Sequence, residues 1–346
     1  MPQLSIKGRP ASRRLLTLAV LAISAAASGG AAQAAAPVIG YAAGFLTDPF
    51  QAVLVQMSLA EAAKDGLKTL PASNANGDAA KQISDIHNLI AAGAQGLIIN
   101  PTDSQAIVPA LAFAAKKKVP VVAIDTAPAS GTVAMVVRAD NTRMGEEACQ
   151  VIGKDLGGKG TVLSLMGDQA TTNGRDRTTG FNTCLKANFP AIKLIQEPTN
   201  WKADRATTIA QTIVTSTPHL SAIYLQSDSV MLAGVLNVLK SKHKLYKVGE
   251  PGHITVVSID GTPLALQRIR DGVLDAAVSQ PLNLYVKYGV YYIHAAVDGK
   301  TFPPGPTDHG STIVAKGTVK MDLLSAPVVT KADVDDQTLW GNQAKG

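Results

Sequence analysis

The 346-residue chain has few of the residues that build metal or nucleotide sites. It contains two cysteines and six histidines, and aromatic residues make up 4% of it. The histidines do not cluster, and neither a zinc-spaced cysteine pair nor an H-E-x-x-H motif occurs, so we expect no metal site. One glycine-rich stretch at 153–159 lacks the Ser or Thr that a phosphate loop requires after its lysine. We therefore expect no nucleotide and no other cofactor.

The chain also lacks a large excess of positive charge when its first 14 residues are left out of the count. The formal net charge is +6, but four Lys and Arg residues within the first 14 positions, with no acid among them, supply four of these charges and leave +2 for the rest. This balance does not favour nucleic-acid binding. After residue 34, no stretch is long and apolar enough to span a membrane.

The N-terminal residues have the pattern of a secretory signal. The basic segment precedes an apolar stretch at 15–24, and the small-residue pattern Ala32-Gln33-Ala34 follows. We expect residues 1–34 to be a signal peptide, cleaved after Ala34 or alternatively after Ala36, that directs the protein to the periplasm. Both the general and the twin-arginine export routes stay open.

The two cysteines, Cys149 and Cys184, form an even pair. In an exported protein such a pair indicates a disulfide, with two separate buried thiols as the alternative.

Apolar runs that end abruptly in a polar side chain recur along the chain. The run at 96–99 stops at Asn100, and similar runs stop at Asp125, Asp228 and Asp260. This is typical of buried parallel strands whose carboxyl ends open into a ligand-binding crevice. Helical stretches with one apolar face alternate with the runs in two similar halves, which predicts two α/β domains with parallel sheets and right-handed crossovers.

Six short motifs follow one another along residues 39–315: Asn100-Pro-Thr-Asp-Ser104, Ala139-Asp140-Asn141, Arg175-Asp-Arg177 with Gly180-Phe181, Gln226-Ser-Asp228, Ile259-Asp-Gly-Thr-Pro263 and Gln280-Pro281. In this order they resemble the periplasmic sugar-binding proteins of the ribose-binding type, which are type I periplasmic binding proteins and serve ABC importers. The resemblance implies two doubly wound parallel-sheet lobes, joined by a hinge in which the chain crosses three times, with the ligand between them.

The resemblance also implies domain boundaries. We expect an N-terminal lobe of residues 35–139 plus 281–309 and a C-terminal lobe of residues 140–280 plus 310–325. Residues 326–346 are expected to form a tail along the surface. The predicted hinge residues are Ala139, Asp140, Gln280 and His309.

Nine residues correspond to the family's ligand contacts and are therefore predicted to line the cleft: Asp48, Phe50, Asn100, Asp125, Arg177, Trp201, Ser227, Asp260 and Gln280. The chemistry of these side chains suits a polyol. A carboxylate accepts hydrogen bonds from two adjacent hydroxyls, and such charge-assisted bonds are the stronger ones. An arginine donates to hydroxyl and ring oxygens, and aromatic rings cover the apolar C–H faces of a sugar. No catalytic residue is expected.

Three positions depart from the ribose-binding pattern. Asp48 and Ser227 stand where ribose binders carry Asn, and Thr126 stands where they carry Arg, which weakens the case for ribose itself. Three carboxylates against one arginine also argue against an anionic ligand.

The sequence thus predicts a solute-binding protein of an ABC importer, with no enzymatic activity, that closes on a small neutral sugar or polyol. Its partner would be the permease in the inner membrane. Presentation of the ligand to a chemoreceptor is compatible with this function, and a monomer is expected.

Two other classes of protein are alternatives. A secreted sugar-active enzyme could use Asp125 and Asp260 as an acid–base pair, although nothing supplies a cofactor site. A sugar-responsive repressor of related fold would need an N-terminal helix-turn-helix, where a signal peptide is predicted instead.

Overall fold

The computed structural model describes residues 1–5, 7–8 and 35–344. The predicted cleavage site and nearly all of the predicted signal peptide lie outside these residues. Within the described part, no helix combines the length and the apolar character needed to cross a membrane.

The first part of the chain alternates strands and helices: β1 Val38–Ala43, α1 Pro49–Lys64, β2 Lys68–Thr69, β3 Ser73–Asn74, α2 Ala79–Ala91, β4 Gly96–Ile99, α3 Val108–Lys116, β5 Val121–Ile124 and β6 Met135–Ala139. Every residue of β4, β5 and β6 is buried. Helices cover both faces of the sheet, which explains why these strands read as continuous apolar runs without polar alternation.

The pattern then restarts with α4 Asn141–Asp155, β7 Gly160–Met166, α5 Thr172–Asn188, β8 Ile192–Pro198, α6 Ala203–Ser216, β9 Ala222–Leu225, α7 Asp228–Ser241, β10 Thr255–Asp260, α8 Pro263–Asp271 and β11 Ala276–Ser279. The remaining elements are α9 Leu282–Val297, β12 Gly305–Pro306, β13 Thr312–Lys316, β14 Val319–Leu324, β15 Val328–Val329 and α10 Trp340–Gln343.

Two sheets result, with the same order in their central strands. The first runs β12-β13-β14-β6-β5-β4-β1-β2, with β3 also paired to β1, and the second runs β15-β11-β10-β9-β7-β8. Strand order reverses between β1 and β4 and again between β7 and β9, so each sheet has a topological switch point where a crevice can form. The prediction of two α/β lobes on largely parallel sheets is confirmed.

The third crossing between the lobes was predicted at the wrong place. β14 pairs in parallel with β6, and β13 pairs with β14, so residues 312–324 belong to the first sheet and not to the second lobe. The chain crosses instead between Leu324 and Val328, where β15 joins β11 of the second sheet. His309 is therefore no hinge residue: its Nε2 lies 2.9 Å from Oδ2 of Asp322 on β14.

The sequence pattern did not predict β14, because the strand contains a buried acid. Asp322 interrupts the apolar pattern of β14, yet its side chain is fully buried. Tyr292 Oη donates to its carboxylate at 3.1 Å, and Ser311 Oγ donates as well. Because these donors replace water, a carboxylate can occupy an interior position of the strand.

Helices α4 and α5 of the second lobe are held together in two ways. Cys149 and Cys184 are joined in a disulfide with a Cα–Cα distance of 6.2 Å, the first of the two alternatives that the sequence left open. The helix backbones also approach so closely that a Cβ on Gly180 would collide with the carbonyl of Thr142. These helices therefore form a tight pair, and α5 carries Arg177 to the cleft.

Candidate functional site

A cavity of about 500 Å³ lies between the carboxyl ends of the two sheets. All nine residues predicted to line the cleft do line this cavity: Asp48, Phe50, Asn100, Asp125, Arg177, Trp201, Ser227, Asp260 and Gln280. They come from both sheets because each lies at or just after the end of a strand, or in the first turns of the helix that follows. The strand-end pattern in the sequence thus becomes one polar chamber.

Asp125 is the centre of the first-lobe side of this chamber. It directly follows β5 with a φ of 65°, an unusual conformation for a residue with a side chain. Its Oδ2 accepts from Gln51 Nε2 at 3.1 Å and from Asn100 Nδ2 at 3.2 Å. Its Oδ1 accepts from Asn173 Nδ2, on the second lobe, at 2.9 Å. The carboxylate is fixed by donors from both lobes.

Asp260 holds the corresponding place on the second lobe. It is the last residue of β10, and its φ of 120° is also in a region that side chains rarely adopt. Ser227 Oγ donates to its Oδ2 at 2.6 Å, and Gln280 Nε2 donates to its Oδ1 at 3.2 Å. Arg177 Nη1 lies 3.9 Å from Oδ1.

Arg177 is held rigidly by its neighbours. Its Nε donates to Asn141 Oδ1 at 2.7 Å, and its Nη1 donates to the carbonyl of Gln226. The guanidinium carbon lies 5.7 Å from the centroid of the Trp201 ring, within the range of a cation–π interaction. Because the guanidinium is fixed before any ligand arrives, little side-chain entropy remains to be lost on binding.

Asp48 joins the lobes at the mouth of the chamber. It caps α1 by accepting from Phe50 N at 3.0 Å, and Ser229 Oγ of the second lobe donates to the same oxygen. Burial, followed by the nearby charge of Asp260, raises the pKa of Asp48 to about 7, although the two hydrogen bonds oppose the shift. Burial likewise raises the pKa values of Asp260 and of Asp228 behind it, and repulsion from Asp260 adds to the shift of Asp228.

Polar contacts join the two lobes directly. Thr172 N, at the start of α5, donates to Ser104 Oγ at 2.9 Å, and Ala127 N donates to Thr172 Oγ1 at 3.1 Å. Buried Arg138 of β6 forms an ion pair with partly exposed Asp176 of α5, with 2.9 Å between Nη2 and Oδ2. The two lobes are thus linked by side chains as well as by the crossings.

Two of the predicted hinge residues lie at the first crossing and one at the second. Ala139 ends β6, and its N–H donates to Tyr285 Oη at 2.7 Å. Asp140 caps α4 by accepting from Arg143 N at 3.0 Å. Tyr285 Oη also donates to Gln280 Oε1 at 2.6 Å, so one tyrosine of α9 links both of these crossings.

Sequence reasoning missed several residues that line the cavity. Gln51 bridges Asn100 and Asp125, since its Oε1 accepts from Asn100 Nδ2 at 2.6 Å. Asn173 reaches Asp125 from the opposite lobe. Both lie in the first turn of a helix that starts at the cleft, and a polar residue facing inward at such a position is the signal that could have found them. Within the described residues, no group of three or more His, Cys, Asp or Glu side chains is placed to hold a metal ion.

The chain matches a family model described as periplasmic binding protein domain over residues 39–301. It belongs to the periplasmic binding protein family, and the resemblance drawn from the six motifs is confirmed. It is 30% identical over 275 residues to the ribose import binding protein RbsB of Haemophilus influenzae, covering 80% of this chain and 89% of that one. It is 27% identical over 282 residues to a xylitol-binding protein of Mycolicibacterium smegmatis, covering 79% and 74% of the two chains.

Solved structures agree with this assignment. An ABC transporter solute binding protein from Mycobacterium smegmatis with bound glycerol has a TM-score of 0.76 at 25% identity, covering 88% of this chain and 97% of that one. A Caulobacter myo-inositol binding protein bound to myo-inositol has a TM-score of 0.72 at 25% identity, covering 87% and 94%.

Proposed function

We propose that this protein is the periplasmic solute-binding component of an ABC importer and that it closes on a small neutral sugar or polyol. One observation carries the proposal: Asp125 and Asp260 line one cavity from opposite lobes. Each carboxylate can accept from two neighbouring hydroxyls of the same ligand, which is the arrangement that a polyol needs. The volume of about 500 Å³ is within the usual range for small-molecule sites.

The charges around the cavity favour a neutral ligand over an anionic one. Four acids line it, namely Asp48, Asp125, Asp204 and Asp260, against Arg177 and Lys202. An anion would have to enter a chamber in which burial, and after it the charge of Asp260, already raises the pKa of Asp48. Phe50 and Trp201 supply apolar faces for the C–H groups of a sugar ring or chain. The names of the relatives, which include ribose, xylitol and myo-inositol binders, agree with this class of ligand.

Binding is proposed to act through closure. Contacts to Asp125 and to Asp260 form together only when the lobes meet, so a ligand that uses both shifts the population toward the closed form. The permease would then recognise that form. We also propose that the protein works as a monomer, is exported to the periplasm after removal of residues 1–34, and catalyses no reaction; presentation to a chemoreceptor would use the same closed surface.

A ligand screen tests this function. Purified protein is heated with D-ribose, D-allose, xylitol, myo-inositol, D-fructose and glycerol, and hits are titrated by calorimetry. A ligand that binds only the native state raises the midpoint of unfolding, and at 100 times its Kd it stabilises by about 2.7 kcal/mol. Ribose 5-phosphate serves as the anionic control and should not bind. Binding of the phosphate but of no neutral polyol would contradict the proposal, as would conversion of a sugar during incubation.

A further inference from the structure

The C-terminal segment of residues 330–344 returns to the cleft after the third crossing. Arg270 of α8 anchors it: Nε donates to Asp335 Oδ1 at 2.8 Å, and Nη2 donates to Asn342 Oδ1 at 2.7 Å. Val334 and Leu339 are buried in the core of the second lobe. The segment is therefore packed onto this lobe, whereas the sequence led us to expect a tail along the surface.

Trp340 lies directly behind the ligand chamber. Its side chain is 2% exposed, and its Nε1 donates to the carbonyl oxygen of Asp260 at 2.8 Å. Its ring meets the ring of Phe50 edge-on, with 5.5 Å between centroids. Phe50 and Asp260 both line the cavity, from opposite lobes, whereas Trp340 stands outside the lining. One buried side chain thus contacts a ligand-facing residue of each lobe.

The neighbours of Trp340 hold it in this position. Gly341 packs so closely on the second lobe that a Cβ there would collide with the carbonyl of Gly261. On the other side, Asn283 Nδ2 of α9, in the first lobe, donates to Gln343 Oε1 at 2.8 Å. The end of the chain therefore touches both lobes beside the second crossing.

Asp260 needs such support because its backbone is in a costly conformation. A residue with a side chain at a φ of 120° persists only when its surroundings hold it there. The carbonyl of Asp260 accepts two hydrogen bonds, from Gln280 N at 2.9 Å and from Trp340 Nε1 at 2.8 Å. Gln280 lies at a crossing that must change when the lobes open. Trp340, by contrast, is packed on the second lobe and can keep its hydrogen bond to Asp260 when the lobes move.

We infer that residues 330–344 form a positioning element of the binding site, in which Trp340 fixes Asp260 and supports Phe50 in the closed form. The expected effect on ligand affinity rests on the proposed function. The expected effect on the local structure around Asp260 does not. The segment thereby adds a fourth link between the lobes to the three crossings.

Three variants test the inference. Trp340→Phe keeps an aromatic ring against Phe50 and removes the indole N–H. A chain ending at Val329 keeps β15 and removes the whole segment. Gln337→Ala is the matched control, because Gln337 is exposed and its side chain bonds only within the segment, to the carbonyl of Asp335. Each is compared with the parent in thermal unfolding, in amide hydrogen exchange of residues 258–262 without ligand, and in calorimetry with D-ribose, xylitol and myo-inositol.

Trp340→Phe should exchange faster at residues 258–262 and unfold about 2–4 °C below the parent, because one buried hydrogen bond is lost. It should bind the best of the three probes about two- to tenfold more weakly. The shortened chain should lose more than about tenfold, with faster dissociation, because both contacts vanish. Gln337→Ala should equal the parent.

Parent-like exchange and affinity in both Trp340→Phe and the shortened chain would overturn the inference. An equal loss of affinity in Gln337→Ala would also overturn it, since any change on the segment would then have the same effect as the change at Trp340. If the parent binds none of the three probes, the proposed sugar binding fails instead, and hydrogen exchange alone decides whether Trp340 positions Asp260. If the shortened chain does not fold, Trp340→Phe decides both questions.

Discussion

Replacing Asp260 by Asn should separate binding from stability, because this carboxylate contributes to the two with opposite signs. Asn has nearly the same shape and retains one acceptor oxygen. Its oxygen can take the place of Oδ2, which accepts from Ser227 Oγ at 2.6 Å and from Ser229 N at 3.3 Å. The exchange therefore removes the charge with little change in packing.

The cost in affinity follows from the bonds that a ligand would lose. A hydrogen bond to a charged group is worth about 1.5–3 kcal/mol, and each 1.4 kcal/mol is a factor of about ten in Kd. Losing the charge from one such bond to a ligand hydroxyl predicts a Kd about 10- to 150-fold higher. Asp125→Asn should weaken binding to a similar degree from the other lobe.

The ligand-free protein should respond differently. Burial raises the pKa of Asp260 well above its ordinary value, so at pH 7 its charge destabilises the closed fold. Asp260→Asn should therefore unfold at the parent's temperature or slightly above it. Kd is measured by calorimetry with the best polyol from the screen, and the unfolding midpoint by calorimetric scanning.

Asp168→Asn is the matched control for this prediction. Asp168 follows β7 as Asp260 ends β10, but it stands outside the cavity lining and accepts from Ala170 N at 2.8 Å. We expect its affinity to stay within about twofold of the parent's, since Asp168 is only partly buried and does not face the cavity. The reasoning is refuted if Asp260→Asn binds as tightly as the parent, or if Asp168→Asn loses as much.

Three further results are expected. Because burial in the closed form raises the pKa of Asp48 from its ordinary value of 3.8 to about 7, proton uptake favours closure; the ligand-free protein should become more compact in small-angle scattering between pH 7.5 and 5.5, and Asp48→Asn should reduce this change but leave the part that is due to Asp260. Joint replacement of Cys149 and Cys184 by Ala should lower the unfolding free energy by about 3–4 kcal/mol, as the chain-entropy relation gives for a 35-residue loop, and equal denaturation curves would count against it. Mass spectrometry of exported protein should find Ala35 or Pro37 at the N-terminus; an intact Met1 would contradict the signal peptide.

Sequence analysis predicted those residues of the site that lie at the ends of apolar strands, because this pattern repeats along the chain. Asp125 and Asp260 end apolar runs, and the carboxyl ends of parallel strands meet at one edge of a sheet, so local pattern was enough to bring them together. Gln51 and Asn173 belong to no such pattern. Gln51 reaches Asp125 from another helix of the same lobe, and Asn173 reaches it from the opposite lobe, so both contacts depend on tertiary packing.

The errors in the fold have the same origin in distant contacts. β14 was missed because Asp322 is buried by virtue of Tyr292 and Ser311, which lie elsewhere in the chain. Trp340 was expected near the surface because its hydrogen-bond partner, Asp260, is 80 residues away. In both cases the local composition is polar, and burial is decided by a partner that no short window of sequence contains.

The path of the chain through the two sheets also sets an order of folding. The first lobe packs α9 against α1, β4, β5 and β6, and its sheet takes in β14 beside β6, but these elements are synthesised only after the whole of the second lobe's central sheet. Until α9 is synthesised, the face of β4 and β5 that it packs against stays uncovered. The second lobe, by contrast, has five of its six strands in one continuous stretch. Since contacts distant in sequence form slowly, we expect the second lobe to fold first. The lobe that begins the chain is then completed last.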